Sequence, residues 1–173
     1  VKQIAAHFSI EVGNDIIIDQ IQRLFSAPQL GAQPIVQDYG QHPITRNFSK
    51  RDVTIFNIAS SVSAKGKSEG DVTYADLAKT SPSSWAESDL EGVFSADNPT
   101  AKLEPNDIKG PVSIAVAYEK RLQPETGAPA SSDESVKKAA RVVVFGDSDW
   151  ILNANLAVYA NRDFVLNAVN WLV

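Results

Sequence analysis

The sequence predicts an α/β domain, and three stretches carry that prediction. Val142 to Phe145 form an unbroken run of β-forming residues that ends at Gly146, where the chain passes into the acidic turn Asp147-Ser148-Asp149. Val112, Ile114, Val116 and Tyr118 alternate with smaller residues, the period of two expected of a strand. Residues 161–173 place Phe164, Val165, Ala168, Val169 and Leu172 on one side of a helix, with Asp163, Asn167 and Asn170 together on the other. An acidic turn at the carboxyl end of a buried strand lies where open α/β sheets carry their working loops.

The remaining elements follow from local chemistry. Residues 14–18 read as a short buried strand introduced by the Gly13-Asn14 turn, and residues 21–25 as a brief helical turn. Residues 26–40 are rich in Gln, Pro and Gly without periodicity, and residues 41–48 continue as extended loop. Residues 52–58 read as a second strand, with Val53, Ile55 and Asn57 on one side, Thr54, Phe56 and Ile58 on the other, and both faces partly covered. Residues 63–70 lack large apolar side chains and predict a surface turn before a strand over 72–78. Ser84-Trp85-Ala86-Glu87 has the S-x-x-E spacing of a capping box, which predicts a short helical turn. Gly92, Pro99, Pro105 and Gly110 interrupt regular structure until the strand over 112–118. Residues 119–140 read as a long surface insertion. Residues 150–155 then read as helical, with Asn161 as N-cap of the closing helix and Asp163 at its positive end.

The 173 residues suit one domain spanning 1–173, which at this length buries roughly 70% of its unfolded surface. A net charge of −5, with only the isolated basic pairs Lys50-Arg51, Lys120-Arg121 and Lys137-Lys138, argues against nucleic acid as a partner. The absence of cysteine excludes thiol nucleophiles, thiolate metal sites and disulfides. No apolar run approaches the roughly 18 residues of a membrane helix. The chain begins at Val1 without Met and stops at Val173 within a helical pattern, so it reads as a segment of a longer protein.

Two places carry candidate chemistry. Gly146-Asp147-Ser148-Asp149 is similar to the nucleophile block of Gly-Asp-Ser esterases, and Asp147 with Asp149 offers two hard ligands to Mg²⁺ or Ca²⁺. The esterase pattern, however, places Asp and His downstream of the serine, whereas both histidines, His7 and His42, lie upstream. Two acids are also too few for a metal site by themselves. The competing reading has an acid or Ser148 of this turn capping the helix that begins near Trp150. His42-Pro43 is the second place: an imidazole on a rigid loop, able to act as base or ligand, or simply to hydrogen-bond backbone. Trp85, Trp150 and Trp171 read as packing residues, and Asn47-Phe48-Ser49 fits a short glycosylation pattern.

His42-Pro-Ile-Thr-Arg-Asn-Phe48, Thr80-Ser-Pro-Ser-Ser-Trp-Ala-Glu87, Gly110-Pro-Val-Ser-Ile-Ala-Val-Ala-Tyr-Glu119, residues 141–149 and residues 161–172 follow one another in order. In that order they resemble the gliding-motility auxiliary, or GldG-like, family of ABC-type transport systems, from about Val12 onward. The resemblance implies a flavodoxin-like or glutamine-amidotransferase-like sheet flanked by helices, and kinship with the GldG-like domain of intraflagellar-transport proteins. It implies that members begin with a strand and helix missing before Val1, leaving the sheet incomplete and an edge in need of cover. It implies a periplasmic or other extracytoplasmic location, with membrane contact only through segments outside this chain. The implied partners are the permease and ATPase subunits of the same system, and an exported ligand such as a polysaccharide.

No catalytic residue, metal or cofactor is carried over, since the amidotransferase cysteine has no counterpart. The expected function is therefore non-enzymatic binding, with a hydrolase using Ser148, or a metal held by Asp147 and Asp149, as the alternative. The loops expected to bind are His42, Thr45 and Arg46; Ser84 and Trp85 within residues 81–85; and Asp147, Ser148, Asp149 and Asn153.

Overall fold

A computed structural model describes residues 1–23, 30–122 and 138–173. In chain order the elements are α1 (Lys2–His7), β1 (Ile10–Val12), β2 (Ile16–Asp19), α2 (Gln20–Arg23), β3 (Ile35–Val36), β4 (Asp38–Tyr39), β5 (Thr54–Ile55) and β6 (Val62–Ala64). There follow β7 (Val72–Lys79), β8 (Ser84–Glu87), α3 (Leu90–Val93), β9 (Ile108–Lys109), β10 (Ser113–Arg121) and β11 (Ala139–Phe145). A 3-10 turn (Asp149–Ile151), α4 (Asn153–Leu156) and α5 (Asn161–Leu172) complete the chain. Part of the helical turn expected over 21–25 and most of the insertion expected over 119–140 lie outside the described residues.

The principal sheet has the order β11-β10-β7-β4, and smaller sheets are formed by β2-β8-β9, β1-β6 and β3-β5. All of these pairings are antiparallel. The fold is thus mixed α/β with several antiparallel sheets and few helices, and a flavodoxin-like parallel sheet is not seen among the described residues. The apolar run expected to be a buried strand is β11, at one edge of the sheet, where only Val144 is fully buried.

β10 is the central strand, and a shift in its register decides how the core is divided. The pairing with β7 slips between Ser113 and Ala115 and again between Ala115 and Val116. A bulge changes which face a given parity of side chain meets. Ile114, preceded by Val112, packs into the main core with Ala115 and Ala117, whereas Val116 and Tyr118 face a second core with Ile10, Val62 and α1. The clean alternation in the sequence therefore spans two cores rather than one face.

The main core is aromatic. Trp150 lies 5.0 Å from Phe56, 4.6 Å from Phe145 and 5.6 Å from Phe164, ring centre to ring centre. Tyr39 and Phe48 extend the cluster, and burial pushes the Tyr39 hydroxyl up to about 12. A third core, around Trp85, Ile16 and Ile18, lies on the small β2-β8-β9 sheet.

Two local expectations are overturned by tertiary pairing. Ser84–Glu87 is not a capping box but the middle strand of that small sheet, paired to β2 over its full length. Ser84 Oγ donates to Ser81 O, and Glu87 accepts from Trp85 Nε1 and from the N–H groups of Asp89 and Lys102, so neither side chain caps a helix start. Asn161 is not the N-cap of α5 either. Ala160 takes that position, and the fully buried Asn161 carboxamide accepts from Ile55 N–H at 2.9 Å while donating to Ile55 O at 3.1 Å. Residues 62–64 are strand rather than surface turn, and α1, β1 and α3 had no clear signal in the sequence.

A carboxamide has the donor and acceptor of a peptide group, so Asn161 completes the open edge of β5. Replacing Asn161 by Ala leaves both Ile55 groups buried without partners. The expected loss is about 2–3 kcal/mol, read from the midpoint and slope of urea unfolding.

Candidate functional site

The turn after β11 is built around a close approach of two backbones. A β-carbon at Gly146 would overlap the Ser60 carbonyl oxygen, and Gly146 O accepts from Ser60 N–H at 2.8 Å. The next residue, Asp147, is half-buried, and its carboxylate is fully engaged: Oδ2 accepts from Asn57 N–H at 2.7 Å, and Oδ1 from Asp149 N–H at 2.6 Å. Burial raises the Asp147 pKa, opposed by the N–H groups of Asn57, Asp149 and Trp150. Asp147 is thus the acid that terminates the turn and starts the 3-10 helix. Ser148 and Asp149 are exposed, with Ser148 Oγ 3.2 Å from Asp149 Oδ1, and Asn153 is exposed at the start of α4.

Asn57 joins this turn to a feature that sequence reasoning missed. An open cleft of about 240 Å³ is lined by Ile16, Leu30, Ile58, Val93 and Phe94, with Asn57 among its walls. Ile58 and Leu30 both have φ of 52°, a left-handed conformation costly for a β-branched residue such as Ile58. The structure holds it there from both sides: Ile58 N–H donates to Ala32 O at 2.8 Å, while Asp147 fixes the preceding residue. Ile58 is 47% and Phe94 61% exposed, so two large apolar side chains face solvent at the cleft. No signal in the sequence marks it, because its walls come from four separate stretches.

His42 lies elsewhere. Its ring is 4.7 Å from Trp171 near the end of α5, whereas Asn161 binds Ile55 in β5 and Asp147 binds Asn57 two residues beyond, near the start of α5. The ten residues from Asn161 to Trp171 span about 15 Å of helix, so the turn and the imidazole sit toward opposite ends of α5. His42 Nδ1 accepts from Ile44 N–H at 3.2 Å, which puts the proton of the neutral ring on Nε2. Burial lowers its pKa; Glu119 raises it and Arg141 lowers it further. Arg141 in turn donates to Glu119 at 2.9 Å and to Trp171 O at 2.7 Å. Thr45 is buried, with Oγ1 donating to Gly40 O, and Arg46 alone of this loop's three candidates projects into solvent.

The third expected loop is largely internal. Ser84 and Trp85 are 3% and 1% exposed, and Ser84 Oγ lies 2.6 Å from Thr80 Oγ1. Sheet register places this loop at the same end as the Asp147 turn, since Lys79 pairs with Ser113 and Ala115 pairs with Phe145. The His42 loop follows β4, which pairs with Ala78 and Lys79, and carries the imidazole toward the other end, where Glu119 faces Thr73 and Arg141. The buried acids Asp15, Glu87 and Asp107 are each used as acceptors for nearby N–H and O–H groups. Among the described residues no three His, Asp or Glu side chains gather in a way that could hold a metal ion.

Comparison with known proteins gives two matches. The family model described as ABC-type uncharacterized transport system, an ABC transport auxiliary family, matches residues 9–168. The solved mmIFT52 N-terminal domain superposes with a TM-score of 0.57 at 11% identity, covering 99% of this chain and 56% of that one. The likeness is one of fold, and this chain spans little more than half of that domain. No curated protein matches the chain in sequence.

The geometry separates structural from exposed members of the turn. Asp147→Ala should cost about 2 kcal/mol by orphaning the Asn57 and Asp149 N–H groups, whereas Ser148→Ala should stay within about 0.5 kcal/mol, both read by urea unfolding. For His42 the folded pKa lies below the ordinary 6.5, so the unfolded chain binds the proton more readily. Stability should therefore be full above that ordinary value and fall as pH drops through it toward the depressed one. His42→Gln should flatten this part of a stability-against-pH curve.

Proposed function

We propose that this chain, which belongs to the ABC transport auxiliary family, is a non-enzymatic recognition module of an ABC-type transport system, of the gliding-motility type that its ordered blocks resemble. The cleft beside the Asp147 turn is the observation that carries this reading. It combines exposed apolar walls with a polar wall at Asn57, the composition of a site that binds rather than reacts. A strained backbone held in place on a small antiparallel framework presents these walls in one arrangement, which lowers the ordering cost of binding.

The hydrolase alternative lacks its base. Ser148 Oγ is beside Asp149, and His42 is packed against Trp171 toward the other end of α5. Asp147, the remaining candidate, spends both carboxylate oxygens on backbone N–H groups. For a metal-assisted route, no third His, Asp or Glu joins Asp147 and Asp149 among the described residues.

On this reading the domain works at the extracytoplasmic face of a bacterial membrane, held there by parts of the protein outside residues 1–173. Its partners are the permease and ATPase subunits, with an exported ligand such as a polysaccharide as the other candidate for the cleft. Among the described residues no helix is long and apolar enough to cross a membrane.

Affinity capture of the intact protein from its own membranes tests the reading. Permease and ATPase should co-purify with the wild type. Phe94→Asp, a change at a side chain already 61% exposed, should reduce their recovery at least tenfold while leaving the unfolding midpoint unchanged. Equal recovery with the variant removes the cleft from the interface, and failure of either subunit to co-purify with the wild type sinks the assignment to a transport complex.

A further inference from the structure

No described residue pairs with the outer edge of β11 or covers one flank of α5, and the two lie on the same side. Gly146 N–H donates to Ile114 O and Leu122 N–H to Lys138 O, which frames the β10–β11 ladder at both ends. Within that frame the hydrogen-bonded positions recur every second residue. Ala139, Arg141, Val143 and Phe145 therefore turn their N–H and C=O groups away from β10, and no described group pairs with them. Protein edges are usually blunted by Pro, by Lys, by a bulge or by brevity. The opposite edge, β4, has only two residues. β11 has seven, Ala-Ala-Arg-Val-Val-Val-Phe, with no Pro, Lys or bulge, and its one charge, Arg141, is turned to Glu119 and the Trp171 carbonyl of its own chain.

α5 overhangs this edge. It runs back along β11, with Phe164 5.4 Å from Phe145 and Trp171 O accepting from Arg141. On one flank Asn167 donates to Ile44 O, so that flank faces the loop after β4. At 100° per residue, Val169 and Leu172 fall on the opposite flank, toward the open edge, with Leu166 at its outer margin. They are 52%, 44% and 47% exposed, although the sequence pattern assigns Val169 and Leu172 to the apolar face.

We propose that a second copy of this chain pairs antiparallel along β11, joining the two principal sheets into one and bringing the two α5 flanks together. A two-fold axis perpendicular to the sheet at Val142 satisfies both features at once. It sets Ala139 opposite Phe145 and Arg141 opposite Val143 of the second copy, so the whole strand is paired and the two Arg141 residues are diagonal neighbours rather than directly opposed. The same axis places both α5 helices on one face, side by side, with Val169 and Leu172 of each turned toward the other. A strand edge and a helix flank that are both self-complementary under a single operator are what an isologous dimer requires. The one charge on the strand, Arg141, is already neutralised by Glu119 of its own chain.

Sedimentation velocity over a range of concentrations tests this, alongside amide hydrogen exchange. The expected result is a dimer with slow exchange at Ala139, Arg141, Val143 and Phe145. Val169→Asp, at an exposed helix position, should weaken dimerisation at least tenfold with the unfolding midpoint unchanged at dilutions where both proteins are monomeric, and Val143→Pro should do the same by removing an edge donor. If Val143→Pro fails to fold, the Val169 variant decides. A monomer at all concentrations overturns the proposal; protected edge amides in that monomer would assign the edge to a different strand. A dimer that survives Val169→Asp overturns it as well.

Discussion

Two side chains, the buried Asn161 and the half-buried Asp147, each satisfying backbone about a hundred positions away in sequence, hold the described parts of this molecule in register. Asn161 bridges both peptide groups of Ile55, and Asp147 accepts the N–H of Asn57, so alternate residues along one edge of the β5 segment are closed by side chains instead of a strand. Buried backbone groups without partners cost more than the hydrogen bonds themselves contribute, which makes this closure a condition of the fold. The choice of residue follows from the groups to be met. Ile55 needs a donor and an acceptor, which a carboxamide supplies, whereas Asn57 needs only an acceptor, which a carboxylate supplies.

That closure also couples the framework to the surface. Asp147 stands between the end of β11, the start of the 3-10 turn and the residue before Ile58, so one acid sets the terminal strand, the following helices and the wall of the apolar cleft. Its raised pKa records the burial that this position demands, against N–H donors that favour the charged form. Toward the other end of α5 a second group of charges is arranged differently. Arg141 is shared among Glu119, the Trp171 carbonyl and the Trp171 ring, with His42 packed against the same indole. A cation already beside the imidazole adds to burial in disfavouring its protonation. Each end of the helix is thus tied to the sheet by polar groups.

Belonging to a transport auxiliary family is consistent with such an arrangement, in which titratable groups organise backbone and apolar side chains are left to face outward. Similarity of fold to the mmIFT52 domain at 11% identity shows how little sequence this framework needs in common. What it needs is a pattern of apolar positions and a few polar closures.

The strands over residues 72–79 and 113–121, the terminal strand and the closing helix were legible because each is long enough for its apolar period to show. So was the burial of Trp85 and Trp150, whose positions beside apolar runs mark them as packing residues. The sequence by itself thus determined the class of the fold, the principal elements and the absence of thiol chemistry. Tertiary structure decided the rest. Ser84 and Glu87 have the spacing of a helix start, yet β2, more than sixty residues away, provides a ladder that outweighs it. Val112 to Tyr118 alternate as one face, yet a bulge against β7 divides them between two cores. Asn161 has the chemistry of a cap and is used instead as a surrogate peptide. In each case the local signal concerns a few neighbouring residues, whereas the deciding partner is brought near only when the chain has folded, and a single sequence carries no record of that distance.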